Sequence, residues 1–537
     1  MKPNRTRYGF AVFQLLLFIP LWTFAQSNLP LQQKIAQITG PSHVRIQGQQ
    51  VQVNPTFVQI YSETGYRPLW HSVDALNSLL QVVAASKDDG LSPETYHYSA
   101  LARLIKKVDL SNDEDWVRLD LDILATDSLI QLSRHLRVGK VDPKILEPDW
   151  NYSSDASKQT QTIPFAQWIA SGEIEKNVAK LAPSHLVYGA MKQNLKRYRH
   201  LAEQGGWKPI GDGPTLRKGD QDVRVIALRA RLIAEGAQLS SAASPQFDEE
   251  LRQEVFKAQK RYFLQADGLV GKGTRRALNV PVEARVDQIR VNLERMRWVM
   301  HDLKRRFLLI DIAGFDAWYF ENGKRVWSAR VQVGRTYRKT PVFQDEIRFL
   351  EFNPTWTAPP TIIEEDLWPK LQKDPQYLSK HNMVLIDNQG NLVDAHTVDF
   401  RRYSGKNFPY MVRQLPGDEN ALGQVKFMFP NEHHIYLHDT PSKTLFNSSE
   451  RAFSSGCIRI ERPFELVDIL LKDNVRGPFP GYQEILQSKI TTRVNLKTPV
   501  PILLLYWTSR VDDAGAIQFK EDIYGRDIAL LQRLNGI

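Results

Sequence analysis

The sequence offers little for covalent or metal-based stabilisation, because its 537 residues include one cysteine, Cys457. A single cysteine cannot form a disulfide within the chain, so the fold has to rest on ordinary hydrophobic cores. The sequence also lacks zinc-finger spacing, a P-loop and a motif that interleaves aromatic and basic residues. These absences exclude a disulfide-stapled scaffold, a zinc finger and a P-loop enzyme, and nothing predicts nucleic-acid binding.

Long apolar runs are absent after the N-terminus, and the run found there has the features of an export signal. The first eight residues carry three bases and no acid, and the apolar segment 10–24 that follows contains Pro20. This segment is short for a membrane span, and Ala25 is a suitable small residue for cleavage. We therefore predict that residues 1–25 are a signal peptide and that the protein is exported, with retention as an N-terminal membrane anchor as the alternative.

The length of the chain limits the number of domains, and its net charge indicates which surfaces it could contact. A chain of 537 residues is too long for one core and predicts two to four domains. The formal net charge of +10 at pH 7 suits a negatively charged wall or membrane surface. An ordinary solvated basic surface would carry the same charge.

The first part of the chain, residues 26–205, has the apolar spacing of helices. One long helix is predicted to stop near Gly139, and another to end at Gly90. No constellation of catalytic residue types occurs here, so we interpret the segment as a helical scaffold domain. The Gly- and Pro-rich stretch 203–222 then predicts a linker.

Residues 217–282 form a compact unit with three predicted helices and a turn at Asp267-Gly268. Its segment "DGLVGKGTRRALN" resembles the three-helix type of peptidoglycan-binding module. The resemblance implies contact with wall polymer, and a plain small helical domain is the alternative. A further helix with a basic face is predicted over 286–299.

The period of the apolar residues changes after residue 300. Alternation predicts a mainly β domain over 300–510, with an insertion over 362–418 that begins after the Pro359-Pro360 pair. Residues 511–537 remain as a C-terminal tail. The predicted fold class is therefore α+β and multidomain.

The cysteine has a candidate base nearby in the sequence. In "HHIYLHD", strand alternation would place His434, Tyr436 and His438 on one face, and Cys457 follows 19 residues after His438. A thiol nucleophile needs a base or a positive neighbour, because the thiolate is the attacking form. Gly456 would let a substrate carbonyl approach, and the amides of Gly456 and Cys457 would face its oxygen. A structural histidine and a small buried thiol are the alternative.

The segments "HDTP" and "SSGCIRI" resemble the signature of L,D-transpeptidases of the YkuD type. The stretches "EFNPTWTAPPTII", "LPGDENALGQVKF" and "YWT…FKEDIYGRD" resemble the long, multi-domain, YcbB-like branch of that family. The order of an exported helical scaffold, a peptidoglycan-binding module and a β domain with a capping insertion is also similar. The resemblance implies an L,D-transpeptidase catalytic domain over 300–510 and a periplasmic, wall-associated location.

The resemblance implies a role for each residue of the motif. Cys457 would be the nucleophile and His438 the group that accepts and donates its proton. Gly456 would shape the oxyanion site, and Arg459 would orient the loop or a substrate carboxylate. Many short family members have a second histidine where this chain has Ser455. Since serine does not titrate near neutral pH, acid–base chemistry would rest on His438.

Aromatic residues near the motif are further candidates. Tyr436, Trp356 and Tyr410 would line the donor cleft, with apolar packing as the alternative. Asp439 follows the histidine at a position where short members often have Gly or Ser, and its role stays open.

The implied reaction is attack by Cys457 on the bond between a diamino acid and D-Ala in a tetrapeptide stem, followed by transfer to the amine of a second stem. It would form 3–3 cross-links, and it needs neither a metal nor an organic cofactor. The implied partners are peptidoglycan stem peptides and glycan, with other cell-wall enzymes, and carbapenems would acylate the thiol. L,D-carboxypeptidase activity, lipoprotein attachment and a non-catalytic peptidoglycan-binding scaffold remain as alternatives. A papain-like protease fits poorly, because the order of its residues differs.

Overall fold

The computed structural model describes residues 30–39, 45–113, 115–152, 162–374 and 376–537. The predicted signal peptide, residues 1–25, lies outside these ranges. Within the described ranges, no helix has both the length and the apolar composition needed to cross a bilayer. The α+β multidomain class is confirmed: helices make up the first half of the chain, and strands dominate the second.

The N-terminal half is a set of helices packed around one central helix. These helices are α1 Pro30–Thr39, α2 Pro55–Glu63, α3 Val73–Ala85, α4 Tyr98–Ile105, α5 Trp116–Val138, α6 Phe165–Ser171, α7 Ile174–Val178 and α8 Leu186–Glu203. Helix α5 is buried along most of its length and is capped at its C-terminus by Gly139, near which the sequence predicts its end. Its buried Asp122 accepts hydrogen bonds from the Tyr61 hydroxyl at 2.7 Å and from the Trp70 amide at 3.0 Å. These bonds tie the preceding segment of chain to the central helix.

The predicted three-helix module is present. Its helices are α9 Arg224–Ala234, α10 Glu249–Arg261 and α11 Lys272–Leu278. Leu216 and Val270 form a bridge that closes the module. Leu216 is buried, so part of the stretch that the sequence presents as a linker packs against the module.

Helix α12, Val282–Val299, joins the module to the β domain. The sequence predicts a basic face for this helix. In the structure, several arginines of the helix are buried and make polar contacts. Arg297 contacts Glu294 and donates to the Tyr188 hydroxyl at 2.9 Å. Arg295 pairs with Asp527 at 2.6 Å. The predicted helix is confirmed, and two arginines of its basic face are buried because they have polar partners on other segments of the chain.

The β domain is a nine-stranded sheet that closes on itself. Its strands are β1 Arg306–Asp311, β2 Asp316–Glu321, β3 Lys324–Gly334, β4 Phe343–Phe352, β9 Val425–Met428, β10 Leu437–His438, β11 Ala452–Ser454, β12 Ile458–Ile460 and β13 Thr492–Leu505. Their order is β11-β3-β12-β10-β9-β4-β13-β1-β2, and a pairing between β2 and β3 closes the sheet. Helices α16 Pro463–Leu471 and α17 Tyr482–Ser488 lie between β12 and β13.

The predicted insertion is a small separate layer with its own core. It contains α13 Pro360–Ile362, a π-helical turn Ile363–Leu367, α14 Trp368–Leu371 and α15 Tyr377–Lys380. Its sheet has the order β5-β8-β6-β7, formed by β5 Trp356–Thr357, β6 Met383–Ile386, β7 Leu392–Val393 and β8 Met411–Gln414. Trp368, Leu385 and Val412 are buried in this core.

The C-terminal tail is an integral part of the fold. It holds a hairpin of β14 Ser509–Val511 and β15 Ile517–Phe519, followed by α18 Asp527–Asn535. The Phe519 ring packs against Tyr198 of the scaffold and Tyr262 of the three-helix module. The tail therefore contacts both the scaffold and the three-helix module.

Candidate active site

The motif residues lie on two adjacent strands. Strands β10 and β12 run parallel, with Leu437 opposite Ile458 and His438 opposite Arg459. The Ile458 amide donates to the Tyr436 carbonyl at 3.1 Å, which extends the pairing by one residue. Because side chains alternate along a strand, those of His438 and Arg459 lie on the same face of the sheet.

The two remaining side chains fall on that same face, one step earlier. Tyr436 precedes His438 by two residues, and Cys457 precedes Arg459 by two residues. The rings of Tyr436 and His438 are 5.8 Å apart between centroids. Tyr436, which also hydrogen-bonds to Cys457, therefore links the thiol to the His438 ring.

The predicted strand "HHIYLHD" is shorter in the structure. It begins at Leu437, and His434 is exposed with a φ of 53°, outside the strand. The cause is Asn431, whose side chain accepts from the Ile435 amide and donates to the Ile435 carbonyl, at 3.1 and 2.7 Å. The local turn displaces strand geometry, so the prediction that His434 shares the face is wrong.

A row of aligned polar side chains crosses this face. His438 lies opposite Arg459 on one side and opposite Lys426 of β9 on the other. Arg459 is opposite Gln332, and Lys426 is opposite Glu351. The Arg459 guanidinium donates to the Gln332 side chain at 3.3 Å, and Lys426 lies 3.7 Å from Glu351. Sequence reasoning missed Lys426, although a lysine between buried Val and Phe in a strand was an available signal.

His438 is held as a neutral base. Burial lowers its pKa to about 3, and the positive charges of Arg459 and Lys426 act in the same direction. Its Nδ1 is bonded to the Asp439 carbonyl oxygen. A carbonyl accepts only, so Nδ1 carries the proton in this contact, and the backbone of Leu422 makes a second hydrogen bond with the ring.

The Cys457 thiol is half-buried and lies beside Tyr436. Burial raises the pKa of the thiol, and hydrogen bonds from the backbone and side chain of Tyr436 oppose that rise. Lys426 and Arg459 also favour the thiolate. In the resting state the thiol therefore keeps its proton near neutral pH, and it donates to the His434 carbonyl oxygen at 3.7 Å.

Small residues shape the loop around the thiol. Gly456 has a φ of +119°, and a Cβ there would lie 3.2 Å from Ile435 Cδ1. Its amide donates to Ser454 Oγ at 3.1 Å, and that hydroxyl donates to the Cys457 carbonyl at 2.5 Å. Because Ser454 already holds the Gly456 amide, the Cys457 amide is the better-placed backbone donor for an oxyanion.

Ser455 is exposed and connects the loop to the insertion. It accepts a hydrogen bond of 2.8 Å from Arg338, which also pairs with Asp366 at 3.1 Å and with Glu365. Both acids lie on the π-helical turn of the insertion. Arg338 thus joins the nucleophile loop to the layer beside it, a contact that sequence reasoning missed.

The other aromatic candidates pack elsewhere. Trp356 and Tyr410 lie against the core of the insertion. Among the contacts of the described residues, none joins either side chain to Cys457 or His438. Their place in the donor cleft stays a prediction.

Asp439 contacts His438 through its backbone carbonyl, and its carboxylate anchors that backbone. Its carboxylate accepts from the Gln424 amide at 3.0 Å and pairs with Lys443. A Cβ on Gly423 would lie 2.4 Å from the Asp439 carboxyl carbon, so the two segments are in close contact. These contacts fix the backbone whose carbonyl receives His438 Nδ1–H.

Three segments of the chain match models of known protein families. Residues 305–502 match the YkuD family, described as an L,D-transpeptidase catalytic domain. Residues 55–195 match a model described as a scaffold domain. Residues 221–278 match a model provisionally named a peptidoglycan binding domain.

Individual proteins are similar to parts of the chain. A Haemophilus influenzae protein, provisionally named an L,D-transpeptidase, is 38% identical over 245 residues, which are 45% of this chain and 48% of that protein. The chain therefore spans about half the length of this curated relative.

Two solved structures are also similar. An L,D-transpeptidase from Stackebrandtia nassauensis is 14% identical, with coverage of 56% of this chain and 97% of that one and a TM-score of 0.21. One from Xylanimonas cellulosilytica is 14% identical, with coverage of 56% and 100% and a TM-score of 0.19. The segment 305–502 therefore matches an L,D-transpeptidase catalytic domain of the YkuD family, and the matches to a scaffold domain and a peptidoglycan-binding domain precede it in the chain.

Proposed function

We propose that the protein is a peptidoglycan L,D-transpeptidase in which Cys457 is the nucleophile and His438 is its acid–base partner. The observation that carries this proposal is the parallel register of β10 and β12, with His438 opposite Arg459. This register gathers a thiol, an imidazole, a phenol and a guanidinium on one face of the sheet. The match of residues 305–502 to the YkuD catalytic domain supports peptidoglycan as the substrate.

The first half-reaction forms a thioester. Cys457 Sγ bonds to the carbonyl carbon of the diamino acid in a tetrapeptide stem, and the bond from that carbon to the D-Ala nitrogen breaks. His438 Nε2 accepts the thiol proton and passes it to the departing D-Ala amine. The Cys457 amide stabilises the oxyanion that forms on the carbonyl oxygen.

The imidazole acts as a neutral general base. The low pKa of His438 and the raised pKa of the Cys457 thiol disfavour a preformed ion pair. The proton therefore moves as the sulfur attacks. Asp439, whose carbonyl bonds Nδ1, holds the tautomer in which Nε2 is the basic nitrogen for this transfer.

The second half-reaction forms the cross-link. The side-chain amine of a second stem bonds to the thioester carbon, the carbon–sulfur bond breaks, and the amine proton returns to the thiolate through His438. The insertion, joined to the nucleophile loop by Arg338, limits the access of water. We propose that residues 217–282 hold wall polymer during this reaction and that the enzyme is exported to the periplasm.

The test is incubation with purified tetrapeptide muropeptides, followed by mass analysis of the products. The proposal expects 3–3 dimers and free D-Ala, both lost in Cys457→Ala and in His438→Asn. His396→Asn, which changes an exposed histidine of the insertion, is the matched control and should keep activity. Tripeptide without dimers would indicate an L,D-carboxypeptidase, and unchanged substrate would favour a non-catalytic scaffold.

A further inference from the structure

A buried threonine outside the cysteine motif bonds directly to the nucleophile loop. Thr340 lies between β3 and β4 and has no exposed surface. Its hydroxyl donates to the Gly456 carbonyl at 2.8 Å and accepts from the Gly334 amide at 2.9 Å. Both hydrogen-bonding capacities of the hydroxyl are therefore used, and both partners are buried backbone groups.

We propose that Thr340 is a positioning residue that sets the orientation of the Gly456–Cys457 peptide, and so of the Cys457 amide that binds the oxyanion. A trans peptide is planar, and its C=O and N–H point in opposite directions. The bond from Thr340 fixes the direction of the Gly456 carbonyl, and the Cys457 N–H of the same peptide then points in the opposite direction. Gly456 has no side chain to restrict its own rotation, so an external bond has to fix this plane.

Tyr524 of the C-terminal tail holds the segment that carries Thr340. Its hydroxyl donates to the Gly334 carbonyl at 2.5 Å and accepts from the Thr340 amide at 3.2 Å. Lys339 donates to the Tyr524 carbonyl at 2.8 Å. Gly334 has no room for a side chain, because a Cβ there would lie 2.1 Å from the Arg338 carbonyl oxygen. The hydrogen bonds of Tyr524 therefore hold the loop between β3 and β4 at Gly334, at Lys339 and at Thr340.

The tail is itself anchored to the scaffold. The Tyr524 amide donates to the Tyr506 hydroxyl at 2.9 Å, and the two rings stack with centroids 5.5 Å apart. Arg526 lies over both rings and pairs with Glu147 of the scaffold at 3.0 Å. These residues follow or precede the matched catalytic segment 305–502. A continuous set of contacts therefore runs from the scaffold through the tail to the nucleophile loop.

This inference rests on the proposed function, and its test compares two reactions of the same thiol. In acylation by a carbapenem, the sulfur bonds to the β-lactam carbonyl carbon, the carbon–nitrogen bond opens, and the thiol proton ends on that nitrogen. In alkylation by iodoacetamide, the sulfur bonds to carbon, iodide leaves, the thiol proton passes to the buffer, and no oxyanion forms. A misdirected amide therefore slows the first reaction and leaves the second unchanged.

Thr340→Val removes the hydroxyl and retains the shape of the side chain. We expect carbapenem acylation to slow by about 10- to 100-fold, and alkylation to stay within about twofold of wild type. Thr340→Ser should recover most of the acylation rate because it restores the hydroxyl. Tyr524→Phe should also slow acylation without slowing alkylation, by a smaller factor than Thr340→Val. If Thr340→Val fails to fold, the two rates are compared in Tyr524→Phe instead.

Thr508→Val is the matched control. Thr508 is equally buried, and its hydroxyl also accepts one bond and donates one, from Asn292 at 2.8 Å and to Asp527 at 2.7 Å. We expect its acylation rate to match wild type. Equal loss of both reactions in Thr340→Val, unchanged acylation there, or the same selective loss in Thr508→Val would overturn the inference. If wild type alkylates at Cys457 but forms no acyl adduct, the proposed function fails, and the inference fails with it.

Discussion

Gly456 has a backbone conformation that other residues adopt only under strain. Its φ is +119°, and a Cβ at this position would lie 3.2 Å from Ile435 Cδ1. Replacement by alanine therefore has two separable costs, one torsional and one steric. Ile435 Cδ1 is the end of a flexible side chain, so the steric cost can be relieved by a small shift, and the torsional cost remains.

The magnitude follows from these two costs. A strained φ costs about 1–3 kcal/mol, and alanine recovers about 0.4–1 kcal/mol by restricting the unfolded chain. Gly456→Ala should therefore destabilise the catalytic domain by about 1–2 kcal/mol, a decrease of a few degrees in its thermal midpoint. If the peptide rotates instead to relieve the strain, Cys457 moves, and acylation by a carbapenem should slow by at least about tenfold.

The assay measures thermal unfolding together with the acylation rate, followed by intact-protein mass spectrometry. Ile435→Val, which removes the methyl group that the new Cβ approaches, separates the two costs. The double variant should remain as impaired as Gly456→Ala, because the torsional strain persists. Full recovery in the double variant, or wild-type stability and acylation in Gly456→Ala, would refute the reasoning.

Three further predictions concern His438, Tyr436 and Arg338. Because burial lowers the pKa of His438 to about 3, the imidazole gains its proton only well below pH 5. Acylation should then vary less than about threefold between pH 5 and 8, whereas an acid limb near pH 6.5 in stopped-flow rates would contradict a neutral base. Tyr436→Phe removes hydrogen bonding that lowers the pKa of the Cys457 thiol, so the pKa read from the pH dependence of alkylation should rise; an unchanged value would count against the contact. Arg338→Ala should raise the ratio of tripeptide to dimer among muropeptide products by loosening the insertion, with Arg338→Lys intermediate, and an unchanged ratio would mean that the insertion is held by other contacts.

Much of the fold could be predicted from local patterns. The end of α5 near Gly139 and the three helices of the module follow from periodicity and turn residues, which act over a few positions. The arginines of α12 could not be placed this way. Arg295 is buried because Asp527 pairs with it, and the two residues are 232 positions apart in the sequence.

In the site, too, some residues could be predicted from local patterns and others could not. The sequence supplied Cys457 and His438 through a motif, and strand alternation supplied Tyr436 as their neighbour. The turn formed by Asn431 overrode that alternation at His434, because a side-chain amide competes with strand pairing. Arg338 and Thr340 reach the site only through the contacts of distant loops, which a single sequence does not reveal, whereas Lys426 had a signal in its position between apolar strand residues.

The central claim is that Cys457 carries the acyl group during the reaction. The most direct measurement is incubation with a tetrapeptide donor without an acceptor amine, an acid quench, and mass mapping of the digested protein. The account predicts release of D-Ala and a thioester adduct on the peptide that contains Cys457, and it predicts neither in Cys457→Ala or in His438→Asn. Release of D-Ala without an adduct on Cys457, or an adduct on another residue, would contradict it.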